Sequence, residues 1–312
     1  VALAERGVRL AHFHFGGTYG WGIRVPGRSP FPFLARAGIV CCTTIHSVVS
    51  ILAGYCGPRK PLWFKLALFP AGWLGKLSAL RHIRTEIAVS AHDARLLRRW
   101  YWPFAGRVRQ IYHSRLAEAD FRPPEAPRRK VILNVGHLAE RKGQHLLVEA
   151  FARVASRHPA WTLEIVGPPL ELAYTERLAR LAADAGLAER VAFPGSCDGV
   201  LAVMVCSAIY AQPSLEEALG LALQEALACG CACIGARTGG IPELITDGDN
   251  GLLYPAHDVA ALAGALDRLM TDESQRAIFS ARGPQSLRER GMTAAQMVER
   301  HAALYDEILS SR

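Results

Sequence analysis

Apolar residues recur along this chain at two periods, and the switching between them predicts a repeated strand–helix plan. In the second half, apolar runs at 130–136, 161–167, 190–195, 208–214, 231–236 and 251–255 read as buried strands. Between and after them, 145–158, 171–186, 218–230 and 258–270 carry apolar residues at helical spacing, and 293–309 reads as a last amphipathic helix. Three of the strands end at Gly136, Gly167 and Gly195, which lets a ligand approach the carboxyl edge of a sheet. Regular βα alternation of this kind predicts a parallel sheet covered on both faces. The first half repeats the plan less fully, with strands at 8–15, 38–47, 85–90 and 107–114 and helices near 31–37, 62–80 and 91–100. The expected fold class is α/β, with four strands in the first half, few for a complete doubly wound domain. The stretch FRPPEAPRRK at 121–130 reads as a linker, which gives domains at 1–120 and 131–290 and leaves 291–312 as a C-terminal helix.

A length of 312 residues suits two domains, and 50% hydrophobic with 21% charged residues excludes a disordered chain. Charge changes the picture more. Residues 1–130 hold 21 Lys and Arg against 6 Asp and Glu, whereas 131–312 hold 15 against 22. The overall +8 is thus +15 in the first part and −7 in the second, so the first part is expected to face something anionic. Compositional drift in an Arg-rich protein is the alternative. The most apolar stretch, 61–80, is interrupted by Lys65, Pro70 and Lys76, which argues against a membrane span. Eight cysteines form no CxxC pair and sit mostly in apolar runs, which reads as free thiols in a reducing compartment. Cys229, Cys231 and Cys233 follow a helix end into a short buried strand, a setting for small hydrophobes rather than a metal clip.

The candidate chemistry is concentrated in PSLEEALGLALQEALACG at 213–230. On one helix, Glu217 and Glu225 would stand ~12 Å apart along the axis. Carboxylates acting on one glycosidic bond need roughly 5–9.5 Å, so a hydrolase pair is disfavoured. The spacing suits one extended ligand held at both ends, such as a nucleotide sugar, with its diphosphate at Gly220 and Leu221 where a helix start offers N–H groups. Two solvated glutamates are the alternative for an isolated pair.

The pair is not isolated. Pro213, Ser214, Glu217, Gly220 and Glu225, the stretch TGGIPELITDGDNGLLYP at 238–255 and LNVGHLAERKGQHLLVEAF at 133–151 together resemble the GT-B glycosyltransferases of family 4, also called glycosyl transferases group 1. The resemblance implies two Rossmann-like domains facing across a cleft, with the last helix packing back toward the first domain. It also implies a retaining, metal-independent transfer from a nucleotide-diphosphate sugar, with no further cofactor, to a glycan or lipid-linked acceptor. The roles it implies are a diphosphate cation at Lys142, a sugar-facing catalytic carboxylate at Glu217 and a ribose-binding one at Glu225. Gly136, Gly220 and Leu221 fall at the donor, and Gly239, Gly240 and Ile241 offer backbone to sugar and phosphate. His137 stands where the family usually has Arg, so a titrating group replaces a permanent cation, with Arg141 beside Lys142 as compensation.

In the first half, His46 closes a strand and resembles the family's strand-end His near the sugar and acceptor. His12 and His14 alternate on one strand and are expected to share a face; no third ligand lies nearby in sequence, so no metal site is assigned. GGTYGWG at 16–22 lacks a dinucleotide fingerprint. The stretch 59–84 interleaves Trp63, Phe64, Phe69 and Trp73 with Arg59, Lys60, Lys65, Lys76, Arg81 and Arg84. It suits an anionic membrane interface or a core-packed helix with a basic face; no groove-reading motif supports nucleic acid. The localisation that follows is cytoplasmic, with peripheral attachment to the inner face of a membrane. The resemblance further implies that about two leading βα units of the first domain are absent. Two rivals remain: a catalytically impaired nucleotide-sugar-binding module and a Rossmann-type oxidoreductase, the latter without its phosphate fingerprint.

Overall fold

A computed structural model describes residues 2–18, 28–48, 61–121 and 127–310. The readings made for 19–22, Cys56, Arg59, Lys60 and 122–126 lie outside the described residues. The chain forms two units, one of 1–113 with 295–312 and the other of 114–294.

In the first unit the order is α1 (Ala2–Glu5), β1 (Leu10–Phe15), α2 (Phe31–Arg36), β2 (Val40–Ile45), α3 (Leu62–Leu80), β3 (Thr85–Ala88), α4 (Ala91–Trp100) and β4 (Val108–Gln110). In the second it is β5 (Arg129–Val135), α5 (Gln144–Val154), β6 (Thr162–Val166), α6 (Leu172–Asp184), β7 (Val191–Gly195), α7 (Val200–Cys206), β8 (Ser207–Gln212), α8 (Leu221–Ala228), β9 (Ala232–Ala236), α9 (Ile241–Leu244), β10 (Gly251–Tyr254), α10 (Val259–Thr271) and α11 (Glu273–Glu289). The chain then returns to the first unit as α12 (Ala294–Ser310).

All strand pairs described are parallel. The first sheet runs β1-β2-β3-β4 and the second β10-β9-β8-β5-β6-β7. Parallel strands need both faces covered, which is why β2, β8 and β9 read as near-continuous apolar runs. In the second sheet, β6 and β7 build outward from one side of β5, whereas β8, β9 and β10 build from the other. The loops leaving β5 and β8 therefore diverge at their carboxyl ends and open a crevice there.

Several boundaries differ from the sequence pattern. The helix expected at 218–230 begins only at Leu221, because Gly220 takes φ +101°, a left-handed conformation that ends the preceding loop and that residues with a Cβ rarely adopt. Glu217 therefore lies in a loop, not on the helix that carries Glu225. The short apolar α7 and α9 and the polar α11, with Pro284 inside it, carry no clean helical period and were not foreseen. The segment after His113 belongs to the second unit: Arg288 pairs with Glu118 and lies over the Phe121 ring, and Ala294 N–H donates to Leu116 C=O at 2.9 Å. Strand β5 begins at Arg129, within the stretch read as a linker. Cys229, Cys231 and Cys233 are buried, and burial pushes their thiols up, to about 12 for Cys229 and about 11 for Cys231.

The first unit carries a buried ion pair. Lys76 on α3 donates to Glu86 on β3, with side chains 0% and 1% exposed, and the ammonium lies 5.7 Å from the Tyr101 ring centroid. Breaking one half of such a pair leaves a naked buried charge. Glu86→Gln is therefore expected to destabilise the first unit by about 3–5 kcal/mol, and the double replacement Lys76→Met with Glu86→Leu by less than either single change. Urea unfolding followed by tryptophan fluorescence checks this, since every tryptophan except Trp161 lies in that unit.

Candidate functional site

The crevice at the switch point of the second sheet gathers polar side chains from two loops, with a glycine pair from a third beside them. Strand β8 ends at Gln212, and the chain turns through Pro213 and Ser214 to Glu217. The loop after β5 runs through Gly136 and His137 into a single 3-10 turn at Glu140–Lys142. The two loops are tied by backbone, Leu215 N–H donating to Arg141 C=O at 2.9 Å.

One carboxylate organises what they bring. Glu217 Oε2 accepts from Lys142 Nζ at 2.6 Å, from Ser214 Oγ at 3.1 Å and from Gln212 Nε2 at 3.1 Å. Gln212 is oriented in turn by the Tyr210 hydroxyl, which donates to its Oε1 at 2.5 Å. Lys142 and Glu217 are 15% and 13% exposed, so the pair is partly shielded yet open to a ligand. Tyr210 is fully buried, and its phenol is pushed well above the usual range by burial first, then by Cys233, Glu217 and Glu225. That phenol is thus within electrostatic reach of both acids.

Glu225 sits one turn into α8 and is nearly buried, its Oε1 accepting from the Arg115 guanidinium. Gly220 stands at the N-cap of α8 and has no side chain to cap it, which leaves the helix end to attract an anion. Gly239 and Gly240 close the third side. A Cβ on Gly239 would stand 1.6 Å from Glu217 C=O, and one on Gly240 2.4 Å from Ala218 C=O. Gly240 N–H also donates to Glu217 C=O at 3.1 Å. The glycine pair is therefore a bracing surface for the Glu217 loop, beyond an ordinary turn. Ile241 is buried at the start of α9.

The structure thus brings Lys142, Glu217, Gly239 and Gly240 together and sets Gly220, Leu221 and Glu225 along the helix that follows. Gly136 directly follows β5, and His137 and Arg141 are exposed on the same loop. Sequence reading missed Tyr210, Gln212 and Arg115. Gln212 and Tyr210 alternate with apolar residues on a buried strand, a signal that was available; Arg115 lies 110 residues from its partner and gave none.

His46 belongs to the first unit, at the end of β2. Its Nε2 is 3.0 Å from His14 Nδ1 and its ring is 5.0 Å from that of His113. His12 and His14 share a face, with ring centroids 4.3 Å apart, and His301 on α12 lies 5.7 Å from His12. His12 bonds Tyr305 Oη at 2.5 Å and Thr44 Oγ1 at 2.7 Å. The rings of His12, His14, His113, His301 and Tyr305 border a cavity of about 320 Å³ between the sheet and α12, lined also by Ile87, Val89 and Met297. Burial and then mutual repulsion lower His12 and His46 to about 4, and lower His14 as well. Among the described residues, no three or more His, Cys, Asp or Glu side chains are grouped to hold a metal ion.

A histidine whose native pKa lies below its unfolded value takes up its proton in the unfolded chain first. His12, His14 and His46 are therefore neutral at pH 7, and stability falls progressively as pH drops from about 6.5 toward 4. Replacing His12 and His46 together by Gln is expected to flatten the fall in Tm across that interval, as measured by thermal melts at successive pH values.

Residues 117–286 match the family model described as Glycosyl transferases group 1. The chain is 35% identical over 196 residues to D-inositol 3-phosphate glycosyltransferase of Acidothermus cellulolyticus, a match covering 57% of this chain and 44% of that protein. It is 30% identical over 180 residues to N-acetyl-alpha-D-glucosaminyl L-malate synthase of Bacillus anthracis, covering 58% and 46%. The match thus spans less than half the length of either relative. Among solved structures, sucrose-phosphate synthase from Thermosynechococcus elongatus superposes with a TM-score of 0.77 at 23% identity, covering 100% of this chain and 76% of that one. The Anabaena protein HepE in complex with UDP gives 0.71 at 20%, covering 89% and 75%. These likenesses show the fold, the GT-B type with two Rossmann-like units.

Proposed function

The chain belongs to the glycosyl transferases group 1 family, and from that premise we propose that it moves a sugar from a nucleotide-diphosphate sugar to a glycan or lipid-linked acceptor. In this reading the anomeric configuration is retained, no metal or further cofactor takes part, and the reaction runs in the cytoplasm, beside an anionic membrane surface.

The observation that carries the reading is the Lys142–Glu217 pair at the switch-point crevice. In the free protein each charge satisfies the other. A donor entering between them splits the pair. Its diphosphate takes the ammonium and the start of α8, while the sugar hydroxyls donate to the released carboxylate. Lys142 then neutralises charge growing on the departing diphosphate, and Glu217 favours the positive charge developing on the sugar ring. Both interactions strengthen as the bond breaks, so they lower the barrier rather than only tightening binding. Ser214 and Gln212 hold Glu217 throughout, which keeps the carboxylate aimed without cost at the moment of reaction. Glu225 is buried at the far end of the same helix turn, where exchange of Arg115 for ribose hydroxyls anchors the nucleoside. His46, neutral at pH 7, is suited to accept a hydrogen bond from an acceptor hydroxyl.

Thermal unfolding with UDP-, GDP- and ADP-sugars is expected to reveal one class that raises the Tm. At a hundredfold excess over Kd the gain is about 2.7 kcal/mol. With that donor, Glu217→Gln is expected to cut turnover about 10²–10³-fold with donor affinity held within about tenfold. Glu225→Gln is expected to weaken donor binding about 10–100-fold, the worth of hydrogen bonds to a charged group. Unchanged turnover in Glu217→Gln would remove this carboxylate from the mechanism. Stabilisation by nicotinamide dinucleotides alone would point to the oxidoreductase instead.

A further inference from the structure

Helix α3 presents two unlike faces. Gly72, Gly75, Lys76 and Ala79 are buried against the first unit. Opposite them, Trp63, Leu66, Ala67, Pro70, Ala71 and Leu74 recur at helical spacing and are all exposed. The large members are well out in solvent, Trp63 at 70%, Leu66 at 53% and Leu74 at 52%. A helix of a soluble surface carries polar residues on this side. Here the outward stripe holds no charged or hydrogen-bonding group except the Trp63 indole N–H. A half-buried tryptophan beside the stripe reaches a neighbouring element. Trp73 Nε1 donates to Trp100 C=O at 2.9 Å, and two residues further on Trp102 is again 70% exposed. Contiguous apolar exposure on this scale marks an interaction surface.

Charge selects the partner. Arg95, Arg98 and Arg99 on α4 are exposed, and the Arg99 guanidinium lies 6.0 Å from the Trp100 ring centroid. Residues 6–85 contain 11 Lys and Arg and no Asp or Glu. The first unit as a whole has 18 basic residues against 6 acidic ones, whereas the second has 18 against 22. A second copy of the chain would bring the same excess of positive charge to the contact and be repelled. Among the described residues no helix is long and apolar enough to cross a bilayer. A tryptophan-bearing apolar stripe beside arginines lies in the headgroup–acyl boundary without crossing it.

We propose that the outward stripe of α3, with Trp100 and Trp102, is a docking face for the surface of an anionic lipid bilayer, inserted shallowly through Trp63, Leu66 and Leu74 and held by Arg95, Arg98 and Arg99. None of these residues belongs to the donor crevice, so the attachment stands or falls apart from sugar transfer.

The test is vesicle flotation of the full chain with phosphatidylcholine alone and with phosphatidylcholine containing about one third phosphatidylglycerol. The chain is expected to float with the anionic vesicles, to stay behind with the neutral ones, and to detach as salt rises. Trp63→Gln, Leu66→Gln and Leu74→Gln combined are expected to reduce the bound fraction at least tenfold with the Tm unchanged. Arg98→Gln with Arg99→Gln should weaken binding about fivefold per charge. As a reading that does not depend on the triple variant folding, brominated phosphatidylglycerol should quench tryptophan emission in the native chain and quench it less in Trp63→Phe. No flotation with anionic vesicles, or flotation that the triple variant retains, overturns the proposal. So does sedimentation showing a dimer that the triple variant dissolves, which would give the face to a second copy.

Discussion

A single carboxylate with three donors sets the geometry of the second unit's crevice. Glu217 accepts from Lys142, Ser214 and Gln212, and these come from two loops that leave neighbouring parallel strands in opposite directions. Without that convergence, the loop between β8 and α8 would keep its ties to Arg141, Thr238 and Gly240, but these hold its backbone and not the direction of its acid. The sheet order supplies the opening and the ion pair supplies the closure. Because neither partner is fully buried, the pair does not bear the full desolvation cost that makes buried ion pairs poor stabilisers. It can therefore be held together in the free protein and still be exchanged for a ligand of matching charge pattern.

The first unit uses ionisable groups differently. Lys76 and Glu86 are sealed between α3 and β3, where their pairing fixes how the helix sits on the sheet. His12, His14 and His46 are held neutral by burial and by the rings beside them, so they act as hydrogen-bonding rings rather than as charges. The surplus of positive charge in this unit is displayed outward on arginines, beside tryptophans and leucines that a solitary soluble domain would cover.

Much of the second unit was legible because buried parallel strands and amphipathic helices differ in period, and Gly136, Gly167 and Gly195 end their strands or follow them directly, as read. The start of α8 was not, since periodicity cannot see that Gly220 adopts a positive φ and pushes Glu217 off the helix. The contacts of Glu217 and Glu225 were equally hidden: Lys142 is 75 residues from one and Arg115 is 110 residues from the other, and single-sequence patterns carry no signal over such distances. Helix α11 escaped because Gly283 and Pro284 interrupt its middle, although tertiary packing keeps it continuous. The shared face of His12 and His14 followed from the strand's period of two. The arrival of His113 and His301 beside them depends on β4 and α12, which only the folded topology supplies.

The glycine pair at 239–240 carries a consequence for variation in this chain. The space where a methyl group would sit at Gly239 is already filled by the main-chain oxygen of Glu217. Even an alanine there must push the acid's own backbone aside, and with it the direction of the side chain that Lys142 grips. A residue with no functional group thereby governs where the functional one stands, and natural sequence drift at that position would be read out as lost chemistry before it was felt as lost fold.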